Sequence, residues 1–292
     1  IMTMSLITAS KAFNHYLMGR SGAFIRPRGC LLRPGSRYSY DQQLCGQPEG
    51  SEANAPLPIY VGNHAVKRVT FEMMPGKEVS ILQVIDPDPL LDEAISLGEI
   101  DPYGAVLWPS SIAASKVLVE WANTNHGGRP FSLMEIGAGT GLVSLTALHL
   151  NANVLSTDIF PYTLELIKEA SQLPPLDKAK GSLETFIFDI TSDEPLPSCD
   201  ILVVADLLYD RDIARQLARR VIEASKNKIS VIVADPGRKG REDFSDELRK
   251  EAEFKEHEFE NISISSYLQE VNAPGSFFQM FGPSEIGVLC NF

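Results

Sequence analysis

Asp206 and Tyr209 stand three residues apart in the stretch ILVVADLLYD, directly after the apolar run Ile201–Ala205. The run predicts a strand buried on both faces, so the two polar side chains come where the strand reaches the surface of its sheet. A carboxylate there can attract and orient a cationic group, and an aromatic ring can contact a cation through its face. Alternatively, Asp206 caps the next turn and Tyr209 is a half-buried aromatic residue.

A second candidate site is the stretch EIGAGTGL, which contains Gly137, Gly139 and Gly141. Glycines let the backbone approach a ligand closely and adopt positive φ, and a turn that needs one glycine would not explain three. A dinucleotide fingerprint would require a glycine at Leu142. Glu135, two residues before the first glycine, would oppose a pyrophosphate but complement a cation. The loop therefore predicts a ligand that carries a positive charge.

Two further carboxylates close neighbouring predicted strands. Asp158 follows the glycines by about twenty residues, where an acidic side chain can accept hydrogen bonds from both hydroxyls of a ribose. Asp189 closes the next predicted strand. Either residue could instead cap a helix or a turn.

The elements that position these residues follow from an alternation of short apolar runs and amphipathic stretches after Phe131. Strands are predicted at 131–137, 152–158, 184–190, 199–206 and 228–236, helices at 140–150, 161–173, 211–225 and 242–254, and closing strands within 258–266 and 276–292. Strands separated by helices imply a mostly parallel sheet, which binds ligands at the carboxyl ends of its strands. The predicted fold class is α/β, a Rossmann-like seven-stranded sheet with an antiparallel edge strand.

Upstream of this sheet, two strands at 65–73 and 77–85 meet at Pro75-Gly76 and predict a small β-hairpin. A short helix in DPLLDEAISLG and a helix at 111–123 follow. We therefore assign residues 59–105 to an N-terminal hairpin and helix extension, and 106–292 to the main domain.

The N-terminus differs in composition from the rest of the chain. Residues 1–40 carry six basic side chains and no Asp or Glu, which predicts an organellar transit peptide, with a disordered basic tail as the alternative. Residues 41–58 are rich in Pro, Gly and small polar residues and predict a linker.

The remaining chain holds 20 basic against 38 acidic residues, a net charge of −18. Such a body repels phosphate backbones, so no nucleic-acid partner is expected. No apolar run approaches the roughly 20 residues that span a bilayer. The four cysteines lack a CxxC pair, which is typical of a reducing compartment, and the five histidines are isolated, so no metal site is predicted.

The glycine stretch and the Asp-Tyr pair carry a family resemblance. The pattern E-x-G-x-G-x-G resembles motif I of the seven-strand S-adenosylmethionine-dependent methyltransferases. Asp206 and Tyr209 form D-x-x-Y, which resembles the motif of protein methyltransferases that modify lysine on non-histone targets. The resemblance covers roughly residues 66 to 292.

Two further stretches are similar to one branch of that family, which methylates lysine on the electron transfer flavoprotein beta subunit. They are DPGR, residues 235–238, and DPYGAVLWP, where Gly104 replaces the usual aromatic residue and Trp108 matches an aromatic element placed along the adenosine. The stretch LWPSS lacks the glycine pair that usually follows in that branch. Arg238 could pair with Asp235 or reach a carboxylate of the substrate.

The resemblance implies S-adenosylmethionine as the cofactor, with Asp189 placed against the adenine amino group. The residues expected to bind it are Trp108, Glu135, Gly137, Gly139, Gly141, Asp158 and Asp189. It also implies that Asp206 orients a lysine and that Tyr209 forms the wall of a narrow channel for it. Asp210 and Asp212 are expected at the N-terminus of the next helix instead.

The function implied is protein-lysine N-methylation of an organellar protein, with the electron transfer flavoprotein beta subunit as the specific candidate. The alternatives are a methyltransferase with a small-molecule or histidine acceptor and a non-catalytic S-adenosylmethionine-binding assembly factor. We expect a monomer that acts on a protein substrate presenting a lysine. The expected location is mitochondrial, with plastid or cytoplasmic location as alternatives.

Overall fold

The computed structural model describes residues 59–97, 102–267 and 285–292. The predicted transit peptide and linker lie outside the described residues, as does the beginning of the last predicted strand region. All described residues belong to one compact unit of the chain.

The first elements are three short strands and a helix. Strands β1 (Ile59–Val61), β2 (His64–Met74) and β3 (Lys77–Val84) form an antiparallel sheet in that order, followed by helix α1 (Asp88–Leu97). The predicted hairpin is confirmed, with Gly76 at φ 69° in its turn. The short strand β1 was not predicted from the sequence.

The larger sheet has seven strands, in the spatial order β6, β5, β4, β7, β8, β10, β9. Their bounds are β4 (Ser132–Ile136), β5 (Asn153–Asp158), β6 (Ser182–Ile187), β7 (Ile201–Ala205), β8 (Ser230–Asp235), β9 (Glu260–Ser263) and β10 (Glu285–Cys290). The strands from β6 to β8 are parallel to one another, and β10 runs antiparallel to both β8 and β9. The predicted fold class is confirmed, and the antiparallel strand lies one position in from the edge.

Five helices flank this sheet: α2 (Pro109–Asn125), α3 (Leu142–His149), α4 (Pro161–Ser171), α5 (Arg211–Lys226) and α6 (Arg241–Leu248). Every residue of β7 is buried, as expected of a central parallel strand covered on both faces. No helix among the described residues is long and apolar enough to cross a membrane.

Two predicted boundaries were wrong. The predicted helix 242–254 ends at Leu248, because after the buried Phe244 and Leu248 the next positions of the same face are charged or small, and a 3₁₀ turn buries Phe254 instead. Strand β6 ends at Ile187, two residues before Asp189, which lies in a turn.

The small sheet packs against helices α3 and α4 and belongs to the same hydrophobic core as that face of the larger sheet. Tyr162 at the start of α4 donates to the Val61 carbonyl at 3.2 Å. The Gln83 side chain of β3 accepts a hydrogen bond from the Leu107 amide at 3.0 Å. This last contact holds the segment 102–108, in which Gly104 comes close to Gly139.

Candidate active site

The glycine loop between β4 and α3 has three left-handed residues, with φ 67° at Gly137, 54° at Gly139 and 75° at Gly141. A Cβ atom on Gly137 would come 2.5 Å from Leu207 Cδ1, and one on Gly141 would come 2.5 Å from Ile167 Cγ1. The loop therefore requires glycine for its backbone conformation and for packing against the neighbouring strand end and helix.

Glu135 lies on β4 beneath this loop and is 1% exposed. Its carboxylate accepts hydrogen bonds from the Ser144 amide at 2.9 Å and from the Ser144 hydroxyl, in the first turn of α3. Burial raises the pKa of Glu135 to about 8, the Ser144 hydrogen bonds lower it, and the charge of Asp158 raises it. Glu135 therefore holds the helix start to the strand, and a cation close to it would favour its ionised form.

Asp158 ends β5 on the other side of the loop and is also buried. One carboxylate oxygen accepts from the Gly139 amide at 2.8 Å and the other from the Phe160 amide at 2.9 Å. Burial raises the pKa of Asp158, and these hydrogen bonds oppose the rise. The two carboxylates that the sequence assigned to one ligand thus flank the same loop.

Gly104 brings a preceding segment onto this loop. A Cβ atom on Gly104 would lie 2.9 Å from Thr163 Cγ2, 3.4 Å from Gly139 Cα and 3.8 Å from Asp158 Oδ2. A larger residue would therefore collide with helix α4. Gly104, which stands where the family usually has an aromatic residue, therefore allows the chain to come close to the glycine loop.

Asp189 is exposed, and its carboxylate accepts from the Thr191 amide at 2.8 Å and the Thr191 hydroxyl at 2.7 Å. In the structure it caps a turn after β6, which is the alternative that the sequence left open. Its role against an adenine stays a prediction.

Asp206 directly follows β7 and adopts φ 65°, a left-handed conformation that is uncommon for residues other than glycine. Its amide donates to the Ala234 carbonyl at 2.9 Å, which ties the residue to the end of β8. The residue is 7% exposed. Strain at a strand end of this kind is found at functional sites more often than elsewhere.

The Asp206 carboxylate has two partners, which sequence reasoning did not find. The Ser110 hydroxyl donates to Oδ2 at 2.8 Å, and the Arg238 guanidinium donates from Nε to Oδ1 at 2.6 Å, with Nη2 also 2.5 Å from Oδ1. Burial raises the pKa of Asp206, and the charge of Arg238 and the hydrogen bond from Ser110 lower it. The Arg238 side chain therefore pairs with Asp206 rather than with Asp235, which was one of its two expected partners.

Asp235 pairs with a different arginine. Its Oδ2 accepts from Arg241 Nε at 2.7 Å and from the backbone amides of Gly237 at 2.7 Å and Arg238 at 3.0 Å. Asp235 is fully buried and accepts hydrogen bonds from two amides of the loop that carries Arg238. It therefore fixes the conformation of that loop.

Trp108 links the Arg238 side chain to the segment before α2. The guanidinium lies 4.7 Å from the centre of the Trp108 ring, and the Trp108 indole nitrogen donates to the Tyr103 carbonyl at 2.9 Å. The structure thus brings Trp108 next to the Asp206 side of the site, whereas the sequence grouped it with the residues along the adenosine.

Tyr209 is 38% exposed and lies in the short connection between β7 and α5. The next residue, Asp210, is the N-cap of α5 and accepts from the amides of Asp212 and Ile213. The prediction that Asp210 serves the helix is confirmed. Tyr209 therefore stands at the surface, three residues from the buried Asp206.

Comparison with known proteins gives one family match. A family model described as lysine methyltransferase matches residues 94–251, more than half of the chain. The match begins within α1 and ends after α6. It leaves the small sheet and strands β9 and β10 outside.

Curated relatives carry related names. The "Electron transfer flavoprotein beta subunit lysine methyltransferase" of Xenopus laevis is 31% identical over 145 residues, which are 47% of this chain and 54% of that protein. The protein of the same name from Homo sapiens is 27% identical over 140 residues, 47% of this chain and 50% of that protein. "Protein-lysine methyltransferase METTL21E" of Bos taurus is 32% identical over 126 residues, 40% of this chain and 42% of that protein. The chain thus spans about half the length of the curated relatives it matches.

Proposed function

Because the chain belongs to the lysine methyltransferase family, we propose that it transfers a methyl group from S-adenosylmethionine to a lysine side chain of another protein. The observation that carries the proposal is Asp206. Its carboxylate is buried and its backbone is left-handed, and it lies at the carboxyl end of a central parallel strand, three residues before the half-exposed Tyr209. A cationic side chain that enters past Tyr209 would meet this carboxylate.

The cofactor of this chain is S-adenosylmethionine, and the groups around the glycine loop fit it chemically. The ammonium and the ribose hydroxyls of this ligand donate hydrogen bonds. Glu135 and Asp158 supply buried acceptors for them. We assign Asp158 to the ribose hydroxyls and Glu135 to the side of the ammonium. Gly137, Gly139 and Gly141 give the loop the conformation that lets the backbone pass close to the ligand.

When bound, S-adenosylmethionine supplies a methyl group on a positively charged sulfur, which becomes a neutral thioether as the carbon-sulfur bond breaks. The acceptor nitrogen needs a free lone pair, whereas a lysine in water is protonated at neutral pH, with an ordinary pKa of about 10.4. The lysine therefore has to release a proton to water before its nitrogen forms the new bond. The chain's own task is to orient the amine and exclude bulk water.

We assign the orienting role to Asp206 and the wall of the lysine channel to Tyr209. A carboxylate favours the protonated form of a neighbouring amine, so Asp206 is a poor candidate for a general base. Its hydrogen bonds to Ser110 and Arg238 fix the direction of its oxygens. Holding the reacting groups in a productive geometry can supply about 7 to 11 kcal/mol of the barrier reduction.

The specific acceptor that we propose is the electron transfer flavoprotein beta subunit in mitochondria. The proposal is supported by the DPGR stretch, by the names of two curated relatives and by the basic, acid-free N-terminal segment. The strong negative charge of the rest of the chain also suits a substrate surface that presents lysines.

The first test compares Asp206→Asn with wild-type protein in two assays. Calorimetric binding of S-adenosylmethionine should be largely kept in the variant, while transfer of labelled methyl groups to proteins of a mitochondrial extract should be lost. Asp212→Asn is the matched control, because Asp212 is exposed in the first turn of α5 and pairs with Arg215 at the surface. It should retain transfer.

Equal loss of binding and transfer in Asp206→Asn would contradict a role on the substrate side. Binding of S-adenosylmethionine by the wild-type protein without any labelled protein would overturn the protein-lysine assignment. Peptide mass spectrometry of a labelled band would identify the acceptor and its lysine.

A further inference from the structure

We propose that Arg238 is a positioning residue that balances the negative charge of Asp206, so that the acceptor lysine can release its proton to water in the site and react as a free amine. The inference rests on the proposed function and deepens it. It assigns a task to an arginine that touches the orienting carboxylate on one side and an aromatic ring on the other.

The geometry places two of the three guanidinium nitrogens of Arg238 on one oxygen of the carboxylate. Nε and Nη2 of Arg238 lie 2.6 and 2.5 Å from Oδ1 of Asp206, and Ser110 donates to Oδ2. A carboxylate oxygen can accept two hydrogen bonds, so Oδ2 retains capacity for one more donor. The arginine thus neutralises the carboxylate and leaves one oxygen able to orient an amine.

Two contacts fix the position of Arg238, in addition to its pair with Asp206. The amide of Arg238 donates to Asp235, its guanidinium lies over the Trp108 ring, and its side chain is 16% exposed. A planar guanidinium can stack on an aromatic ring while its nitrogens point at a carboxylate, which a lysine ammonium cannot reproduce. Arg238 is therefore built into the site rather than extended into solvent.

The two carboxylates and two arginines that pair at the ends of β7 and β8 sum to zero charge. Asp206 and Asp235 follow the paired residues Ala205 and Ala234 at the ends of β7 and β8, and each is paired with its own arginine, Arg238 and Arg241. Tyr209, on the connection after β7, contributes a phenol. The start of α2 contributes the hydroxyl of Ser110 and the ring of Trp108, neither of which is charged. Lys239 is exposed on the loop after β8.

Removing the Arg238 charge would leave an unbalanced carboxylate facing the acceptor amine. An opposite charge within about 4 to 6 Å favours the charged form of an amine and shifts its pKa by about 1 to 3 units, and a nearby like charge has the reverse effect. Arg238 therefore disfavours the ammonium form, because its positive charge offsets the attraction of the Asp206 carboxylate. A variant without this charge should need a higher pH to generate the free amine.

The test is the pH profile of single-turnover methyl transfer, with S-adenosylmethionine saturating and bacterially expressed, unmethylated electron transfer flavoprotein beta subunit as the acceptor. Arg238→Gln should move the rising limb of the profile to higher pH by at least about one unit, so that its rate at neutral pH falls about tenfold and approaches wild type at alkaline pH. Ser110→Ala is the matched control. It removes an uncharged hydrogen bond to the same carboxylate and should lower the rate by a factor that does not depend on pH.

One further variant separates charge from structure. Arg238→Lys keeps the charge and loses the planar guanidinium over the Trp108 ring, so its profile should rise at the wild-type pH even if its rate is lower. This variant also provides the test if Arg238→Gln alone fails to fold, because it keeps a cation beside the buried carboxylate.

The outcomes distinguish this inference from the proposed function. Wild-type protein that methylates the acceptor, together with an Arg238→Gln profile that rises at the wild-type pH, would overturn the charge-balancing role alone. An alkaline shift in Arg238→Lys would also overturn it. Wild-type protein that binds S-adenosylmethionine but methylates no lysine would overturn both.

Discussion

Replacing Glu135 with glutamine should make the free energy of unfolding much less dependent on pH. Glu135 is 1% exposed, and burial raises its pKa from the ordinary value of 4.5 to about 8. Glutamine has nearly the same shape, offers an oxygen to the Ser144 amide and cannot ionise. The variant therefore removes a titration while it keeps the helix start attached to β4.

The sign and size follow from proton linkage. In the unfolded chain Glu135 releases its proton near its ordinary pKa, whereas in the folded protein it holds the proton up to about pH 8. The contribution of Glu135 to the free energy of unfolding is therefore fully present below the pKa of the unfolded state. It is lost as the pH rises through the pKa of the folded state. Each unit of pKa difference corresponds to about 1.4 kcal/mol, so the full loss is about 5 kcal/mol, with a slope of at most about 1.4 kcal/mol per pH unit.

The assay is urea unfolding of wild-type protein and Glu135→Gln at several values between about pH 6 and pH 9, without cofactor. The variant's stability relative to wild type should increase by about 1.4 kcal/mol per unit up to about pH 8 and then level off. Exposed Glu169 on α4 provides the control, since Glu169→Gln removes a carboxylate that the fold does not bury. It should follow the wild-type curve.

Curves for Glu135→Gln and wild type that run parallel over this range would refute the reasoning. They would mean that Glu135 is already ionised at pH 6 in the folded protein. A cation or water beside the carboxylate would then have to compensate the cost of burial.

Other substitutions test the glycine loop and its carboxylates. Asp158→Ala should weaken S-adenosylmethionine binding by at least about tenfold in calorimetry, and unchanged affinity would count against the ribose assignment. Binding at pH 7 should release protons if the ligand's ammonium ionises Glu135, which calorimetry in buffers of different ionisation enthalpy detects; zero release would contradict that pairing. Gly141→Ala should destabilise by about 2 to 4 kcal/mol, because the left-handed φ is combined with a Cβ atom 2.5 Å from Ile167 Cγ1. Gly127→Ala, at φ 56° with nothing within 4 Å, should cost only about 1 kcal/mol, and equal losses would refute the packing argument.

The architecture was predictable because the local sequence pattern of each element reflects how that element is buried. A run such as Ile201–Ala205 is apolar at every position only if both faces of the strand are covered, and the structure buries all five residues. The amphipathic stretches between the strands then predict crossover helices, and Pro75-Gly76 predicts the turn between β2 and β3. Each of these signals depends on a few neighbouring residues, so it can be recognised without knowledge of the fold.

The contacts within the site were less predictable because they depend on strand register. Arg238 reaches Asp206 because Ala205 and Ala234 are paired at the ends of adjacent strands, a relation between residues about thirty positions apart. The sequence instead suggested Asp235, which is near Arg238 along the chain. The contact of Gly104 with the glycine loop was also not predictable, because no local sequence pattern indicates it.

The measurement that tests the central claim most directly is the chemical identity of the methylated residue. Wild-type protein and Asp206→Asn are incubated with labelled S-adenosylmethionine and a mitochondrial extract, and the labelled protein is hydrolysed and its amino acids are separated. We predict label in methylated lysine for wild type and none for the variant. Label in methylated histidine, label only in small molecules, or equal lysine labelling by both proteins would contradict the assignment of a lysine-orienting carboxylate to Asp206.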